Sequence, residues 1–338
     1  MKTIRLPDPI TDSIENILKE SNSNEWLKSA VALSLKYRVE RVKQGISYIR
    51  DYSDVLGYLS LRVSSTYAQI YGSLASIKQI NPSWKPVSLL DIGSGPGTAI
   101  WATEQLFPSI TQISAVEKDP NFITVGKKIL SNSSLKPKWY PTNFSFSVPH
   151  TTEKFDLVIL ANVLNEMDDN TRQKTIEFAY KHCQGILVVV EPGTPFGNES
   201  NNQTVTELSK YNPKLTAPFI ENKYYPSEDI VFSQRIIRPD FQKRVRQLQR
   251  KMDLTDKTKL LPPSDWEDAK YSYIVFSKFP SEIQPQARLI KNPQLYKPFV
   301  ELSLLTKDGI IQEKIFKKEK EKFKLAKKMN WGDILLPQ

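Results

Sequence analysis

The segment Asp91-Ile-Gly-Ser-Gly-Pro-Gly97 follows the apolar run Val87 to Ile92 and leads into a helical stretch from Thr98 to Phe107. Three glycines at alternate positions remove the Cβ where backbone must turn tightly and pass close to something else. Pro96 suits the first position of the helix that follows. A dinucleotide fold spaces its glycines G-x-G-x-x-G to set a helix N-terminus against a pyrophosphate. Here the pattern is D-x-G-x-G-x-G, with an acid leading the turn. A carboxylate there suits a ligand with a cationic end and no phosphate, as in S-adenosylmethionine. Glu117 stands 26 residues after Asp91, at the end of the next apolar run, where it can accept both hydroxyl hydrogens of a ribose. Asn162, just past the apolar run Phe155 to Leu160, is a further candidate for the same crevice, because ligands collect at the carboxyl ends of parallel strands. The competing readings are a merely structural turn, a capping or solvated Glu117, and an Asn162 that is a helix N-cap or turn residue. The candidate cofactor-binding set is therefore Asp91, Gly93, Gly95, Gly97, Glu117 and Asn162.

Around this turn the chain alternates short apolar runs with helical stretches, which predicts a parallel sheet with crossover helices. Strands are expected at Val87–Ile92, Ile113–Glu117, Phe155–Leu160 and Gly185–Glu191, with a weaker one near Lys138–Phe146; Pro120–Leu130 reads as a helix. Before it, Trp26–Val42 and Val55–Ile80 carry apolar residues at three and four spacing and read as two helices. Asn81-Pro-Ser-Trp-Lys-Pro86 reads as a hinge between them and the sheet. After it, Asn198–Asn202 reads as a polar loop, residues 239–252 as a basic helix and Lys270–Phe279 as a strand. Phe299–Gln312 reads as a hairpin turning at Asp308-Gly309, and Lys314–Lys328 as a lysine-rich helix. The fold class is α/β: a Rossmann-like class I S-adenosylmethionine-dependent methyltransferase fold. The expected organisation is an N-terminal helical region (1–82), the cofactor-binding core (83–200) and a basic α+β region (201–338) that completes the core and contacts RNA.

Charge is unevenly placed. Residues 201–338 hold 26 Lys plus Arg against 17 Asp plus Glu, while residues 1–200 hold 21 against 20. A basic C-terminal part suits a polyanionic partner; the plain alternative is a solvated lysine-rich surface. Apolar runs are too short for a membrane span. The first residues show neither an apolar signal core nor an acid-free, arginine-rich segment, and a single cysteine, Cys183, fits a reducing compartment. The expected location is a bacterial cytoplasm, with the mitochondrial matrix as the alternative. No Asn-Pro-Pro-Tyr or Asp-Pro-Pro-Tyr stretch follows Leu160, so the usual clamp for an exocyclic amine is missing. Cys183 reads as a buried apolar residue rather than a nucleophile. His150 and His182 stand alone and read as surface or hydrogen-bonded side chains rather than general bases.

Several segments together resemble the methyltransferase-like assembly factors of the small ribosomal subunit, the family of methyltransferase-like protein seventeen, found in mitochondria and bacteria. They are Tyr58-Leu-Ser-Leu-Arg-Val-Ser-Ser-Thr-Tyr-Ala68, Leu90-Asp-Ile-Gly-Ser-Gly-Pro-Gly-Thr-Ala-Ile-Trp101, Val163-Leu-Asn-Glu166, Val190-Glu-Pro-Gly-Thr-Pro195, Phe232-Ser-Gln-Arg235, Glu267-Asp-Ala-Lys-Tyr-Ser-Tyr273 and Trp331-Gly-Asp333. They run in family order over roughly residues 40 to 335. The resemblance implies a protein bound to small-subunit ribosomal RNA and ribosomal proteins, monomeric off the ribosome, with methyl transfer often inferred rather than shown. It also implies a four-cysteine iron–sulfur site. Phe219, Tyr225, Ile230 and Leu305 stand at the positions expected for those cysteines, and such side chains cannot ligate iron, so no iron–sulfur cluster is expected.

The leading expectation is thus a small-subunit assembly factor that binds S-adenosylmethionine. Arg235, Arg238, Lys243, Arg244, Arg246, Arg250 and Lys251 are its candidate RNA phosphate contacts, and Tyr224 or Tyr225 its stacking partners, unless these two pack in the core. Two rivals stay open: a small-molecule or protein methyltransferase with a merely solvated basic tail, and a catalytically inactive RNA-binding scaffold.

Overall fold

The apolar runs assemble into one nine-stranded sheet. In a computed structural model, residues 3–21, 23–39, 49–131, 133–142, 153–227, 229–252 and 264–336 are described. A short strand β1 (Thr3–Ile4) precedes four helices, α1 (Asp8–Lys19), α2 (Ser23–Val39), α3 (Tyr52–Leu61) and α4 (Val63–Ile80). The alternating part follows: β2 (Ser88–Ile92), α5 (Thr98–Leu106), β3 (Gln112–Glu117), α6 (Pro120–Ile129), β4 (Lys138–Pro141), β5 (Phe155–Ala161), α7 (Asp169–His182), β6 (Cys183–Pro192) and α8 (Pro195–Ser209). Then come β7 (Lys214–Ala217), β8 (Phe232–Ile237), α9 (Asp240–Met252) and β9 (Trp266–Ser277). A second sheet is built from β10 (Ala287–Leu289), β11 (Gln294–Leu295), β12 (Phe299–Thr306), β13 (Gly309–Phe316) and β14 (Ile334–Leu335), with α10 (Lys320–Lys328) against it.

The main sheet runs β1-β8-β9-β6-β5-β2-β3-β4, with β7 also on β9. Strands β4, β3, β2, β5 and β6 are mutually parallel, and β9 is antiparallel to β6 on one side and to β7 and β8 on the other. Insertion of one reversed strand between β6 and β8 is the arrangement of the class I methyltransferase fold. Helices cover both faces, so the central strands are apolar throughout: all of Leu157 to Leu160 and Ile186 to Val190 are buried, as a doubly covered parallel sheet requires.

Several expectations change on contact with tertiary structure. The helix expected over Val55–Ile80 is two helices broken at Arg62, where α4 turns to pack on α5 and β9. The expected hinge is pinned. Asn81 is fully buried, its Oδ1 accepts from the Glu282 N–H (3.1 Å), and Trp84 packs edge-on against Phe107. Asn198–Asn202 lies inside α8, not in a loop, because Thr194 caps the helix and Pro195 fits its first turn; Asn198 and Asn201 are buried there. The lysine-rich stretch divides, with β13 running to Phe316 before α10 begins at Lys320. Pro96 sits in the glycine turn, and α5 starts at Thr98 after Gly97. The Lys138–Phe146 expectation holds as far as Pro141; residues 143–146, and with them His150, lie outside the described residues.

Candidate functional site

Strand order reverses at β2, which has β3 on one side and β5 on the other. Crossovers leave in opposite directions from such a point and open a crevice beyond the carboxyl ends of the strands. Asp91, Glu117 and Asn162 lie at those ends on β2, β3 and just after β5, so the six predicted cofactor residues are gathered in one place.

The turn itself is held by backbone. The N–H groups of Gly93 and Ser94 both donate to Val116 O, at 2.8 and 3.1 Å. Gly93, Gly95 and Gly97 all have positive φ, at 72°, 53° and 91°, which an L side chain tolerates poorly. A Cβ on Gly93 would lie 2.4 Å from Val163, whereas one on Gly95 would meet nothing within 4 Å. Gly93 is therefore required by packing as well as by its backbone, and Gly95 by its positive φ alone, with open space beside it. Glu117 Oε2 accepts from the Gly95 N–H (2.8 Å) and Oε1 from the Asp119 N–H (2.8 Å). Burial raises this carboxyl above its ordinary range, and the two N–H groups oppose the shift.

Asp91 is 1% exposed and its Oδ2 has no protein partner. Burial, reinforced by Glu117, pushes its carboxyl up to about 8. Ser94 Oγ, Thr98 Oγ1 and Trp101 Nε1 are also buried without a partner. Four such atoms between Asp91 and Trp101 are an uncompensated cost to folding unless a polar ligand or water meets them. Asn162 has φ 55°, so it is a left-handed turn residue rather than an N-cap. Its Nδ2 donates to Gln69 Oε1 (2.9 Å), and Gln69 Nε2 donates to Lys270 O (2.9 Å).

Sequence reading passed over several residues at this edge. Glu166 is pushed up to about 7 by lost hydration, with Lys118 opposing and Glu117 adding. Glu191 is pushed up to about 8, chiefly by burial, although its Oε1 accepts from the Leu164 N–H (3.2 Å). Tyr58 bonds Thr66 Oγ1 (3.3 Å) and packs edge-on against Phe122. Their signal was present in three of the segments quoted above, but nothing in one chain of letters says that α3 packs against α6, with Tyr58 on Phe122.

The basic candidates lie elsewhere. From β2 to β8 is four strand intervals, about 19 Å. Arg235 makes a two-pronged pair with Asp268 (2.7 and 2.9 Å), and Arg238 and Arg246 both face Glu267 (3.6 and 3.7 Å). Lys243 faces Asp240 and Asp265, and Arg244 pairs with Glu15 (2.9 Å). Arg250 is half-buried, and the Lys251 side chain lies outside the described residues. Tyr224 is occupied by packing: its hydroxyl donates to Asn202 Oδ1 and its ring meets Phe219 edge-on. Cys183 is buried at the start of β6, its thiol pushed up to about 12 by burial. His182 is held by Phe178, through Nδ1 to its carbonyl and by ring stacking.

Phe219, Tyr225 and Ile230 line a single cavity of about 20 Å³ together with Asn198, Asn201 and Ser272. That is room for about one water. Leu305 is fully buried in the same apolar core as Phe219 and Ile230. With one cysteine in the chain, these side chains do not fit an iron–sulfur cluster.

Sheet order, reversed strand and glycine turn define a protein of the class I methyltransferase fold. The chain belongs to the Rsm22 family, described as mitochondrial small ribosomal subunit Rsm22, whose family model matches residues 52–336. Among curated relatives, the human mitochondrial ribosome assembly protein METTL17 is 26% identical over 183 residues, 53% of this chain and 40% of that protein. The mitochondrial Rsm22-cox11 tandem protein 2 of Schizosaccharomyces pombe is 28% identical over 153 residues, 42% of this chain and 20% of that one. The chain thus spans less than half the length of the curated relatives it matches. Among solved structures, the plantazolicin methyltransferase BpumL in complex with SAH aligns over 79% of this chain and 99% of its own, at 15% identity and a TM-score of 0.36. The fold assignment stands on the strand order itself. These relatives correct one expectation: the named homologues are mitochondrial proteins, which overturns the bacterial cytoplasm and agrees with the mitochondrial alternative.

Proposed function

We propose that the protein is a mitochondrial small-subunit assembly factor that binds S-adenosylmethionine at the carboxyl ends of β2, β3 and β5. The observation that carries the cofactor reading is Asp91, a buried carboxyl with an unpartnered oxygen beneath a glycine turn. Asp91 would meet the cationic methionine end, Glu117 the ribose hydroxyls, and the open side of Gly95 the body of the ligand; Asn162 borders the same crevice. When bound, the sulfonium methyl is what such a cofactor offers for transfer. The chain's own contribution is to hold and orient it. Family membership and the basic C-terminal region support small-subunit ribosomal RNA as the partner.

Two measurements test this. Titration calorimetry should detect S-adenosylmethionine binding to the purified protein. A pulldown from lysed mitochondria should recover small-subunit RNA well above background. Absence of the first removes the cofactor reading and leaves a scaffold, and absence of the second removes the assembly reading.

Glu117→Gln has a sharper expected effect than ribose chemistry alone implies. Its carboxylate accepts two backbone N–H groups, and an amide accepts only one while turning its own NH2 on the other. Losing a charge-assisted bond and leaving a buried N–H unpaired costs about 1.5–3 kcal/mol. Both thermal stability and cofactor affinity should therefore fall. A variant with unchanged melting temperature would show that Glu117 does not organise the turn.

A further inference from the structure

The aromatic residues of the small C-terminal sheet are arranged for a different task from those of the core. Across the β12–β13 ladder Phe299 faces Phe316, Glu301 faces Lys314, Ser303 faces Gln312 and Leu305 faces Ile310. Alternation puts these eight side chains on one face. At one end of that face, Leu305 is fully buried in the main core. At the other, three rings form a row: Tyr296 to Phe299 at 4.8 Å between centroids, and Phe299 to Phe316 at 5.6 Å. Tyr296 is 46% and Phe316 41% exposed. The opposite face carries Val300, Leu302, Leu304 and Ile315 and is closed by α10, so the sheet already has its own core and does not need the outer rings for folding.

Charge says what would cover them. Residues 291–328 contain 11 lysines and five acids. Lys314 Nζ sits 5.0 Å from the Phe299 ring centroid and Lys318 Nζ 5.8 Å from that of Phe316. Among the described residues no carboxylate pairs with Lys297, Lys317 or Lys318. Arg235, Arg238, Arg244 and Arg246, by contrast, face Asp268, Glu267 and Glu15, and would have to give up those partners to take a phosphate. Exposed rings in a row flanked by unpaired cations are the two components of a single-strand binding surface, in which bases stack on the rings and phosphates meet the cations.

We propose that the face bearing Tyr296, Phe299 and Phe316 is a stacking platform for single-stranded RNA, with Lys297, Lys317 and Lys318 on its backbone. The proposal rests on the small-subunit RNA reading and names where that RNA is held. Its test is fluorescence anisotropy of a labelled pyrimidine-rich 12-nucleotide RNA with the full chain, in a salt series, beside an RNA duplex of equal length. Tyr296→Ala and Phe316→Ala should each weaken single-strand binding roughly 5- to 100-fold and leave the salt slope unchanged. Lys317→Ala with Lys318→Ala should lower the slope by up to about 1.4. Circular dichroism melts of the variants should match the wild type, since neither ring is buried. Three results overturn the platform. One is aromatic variants that bind like the wild type while an Arg244→Ala, Arg246→Ala variant does not, which keeps the RNA reading and moves it to α9. Another is preference for the duplex. The third is recovery with the small subunit but no affinity for free RNA, which would make the face a protein-docking surface.

Discussion

Replacing Leu305 by alanine is expected to cost about 2–5 kcal/mol of folding stability, and Phe219→Ala about 3–5 kcal/mol. Leu305 is fully buried and Phe219 5% exposed, so each truncation removes apolar contacts that water cannot replace. Three chain segments meet near them. Phe219 follows β7, Ile230 precedes β8 and Leu305 lies on β12, all within one apolar core. A buried arginine ties the same region together. Arg288, paired with Leu305 across the β10–β12 ladder, donates to Pro218 O (3.2 Å), Gln79 Oε1 (3.2 Å) and Gly332 O (2.9 Å). Packing and these hydrogen bonds hold the three segments together. Denaturant unfolding should show the midpoint falling with little change in slope. Anaerobically purified protein should hold no stoichiometric iron or sulfide. Iron and sulfide in a fixed ratio, or near-neutral alanine variants, would defeat this account.

Asp91→Ala should weaken S-adenosylmethionine binding by about 1.5–3 kcal/mol, roughly ten- to hundred-fold, without lowering the melting temperature of the free protein. A buried carboxyl whose Oδ2 has no partner is a cost to the unliganded fold, so its removal is neutral or stabilising. Loss of affinity with retained stability is the signature of a residue kept for its ligand. The sign of the pH effect follows from the raised carboxyl at about 8. This acid keeps its proton in the free fold and must lose it to meet a cation, so binding releases a proton. Affinity should climb by up to about tenfold per pH unit from pH 6 towards 8 and then decline as the ligand's α-amino group, near 7.7–8.0, loses its own charge. Asp91→Asn should flatten the rising limb. Equal binding by wild type and Asp91→Ala at pH 8 would remove Asp91 from the site.

Much of the site was legible because its constraints are local. Three glycines with an acid before them and a second acid at the end of the next apolar run carry the turn in the order of the letters, since positive φ and close approach are properties of a few adjacent residues. The elements that border the crevice were not legible in this way. Tyr58 and Gln69 arrive on helices whose sequence shows only that one side is apolar, and the break at Arg62 comes from what α4 packs against, not from any residue that forbids helix. Asn198–Asn202 reads as loop by composition, yet a capping threonine and a proline at the first turn outweigh the asparagines once α8 has β6 and β9 to rest on.

The basic region shows the same division more sharply. Counting arginines between Arg235 and Arg250 finds charge, but a cation's availability depends on which carboxylate stands opposite. Glu15, Glu267 and Asp268 come from distant positions or a neighbouring strand. The sequence by itself determined the parallel α/β sheet, the glycine turn with Asp91 and Glu117, and the absence of enough cysteine for a cluster, because period, backbone sterics and ligand count are properties of the chain. Only the tertiary structure decided which polar groups are left unpartnered at the crevice, which arginines are already neutralised and which rings of the C-terminal sheet stay in water, because pairing and burial are set by residues brought together from far along the chain.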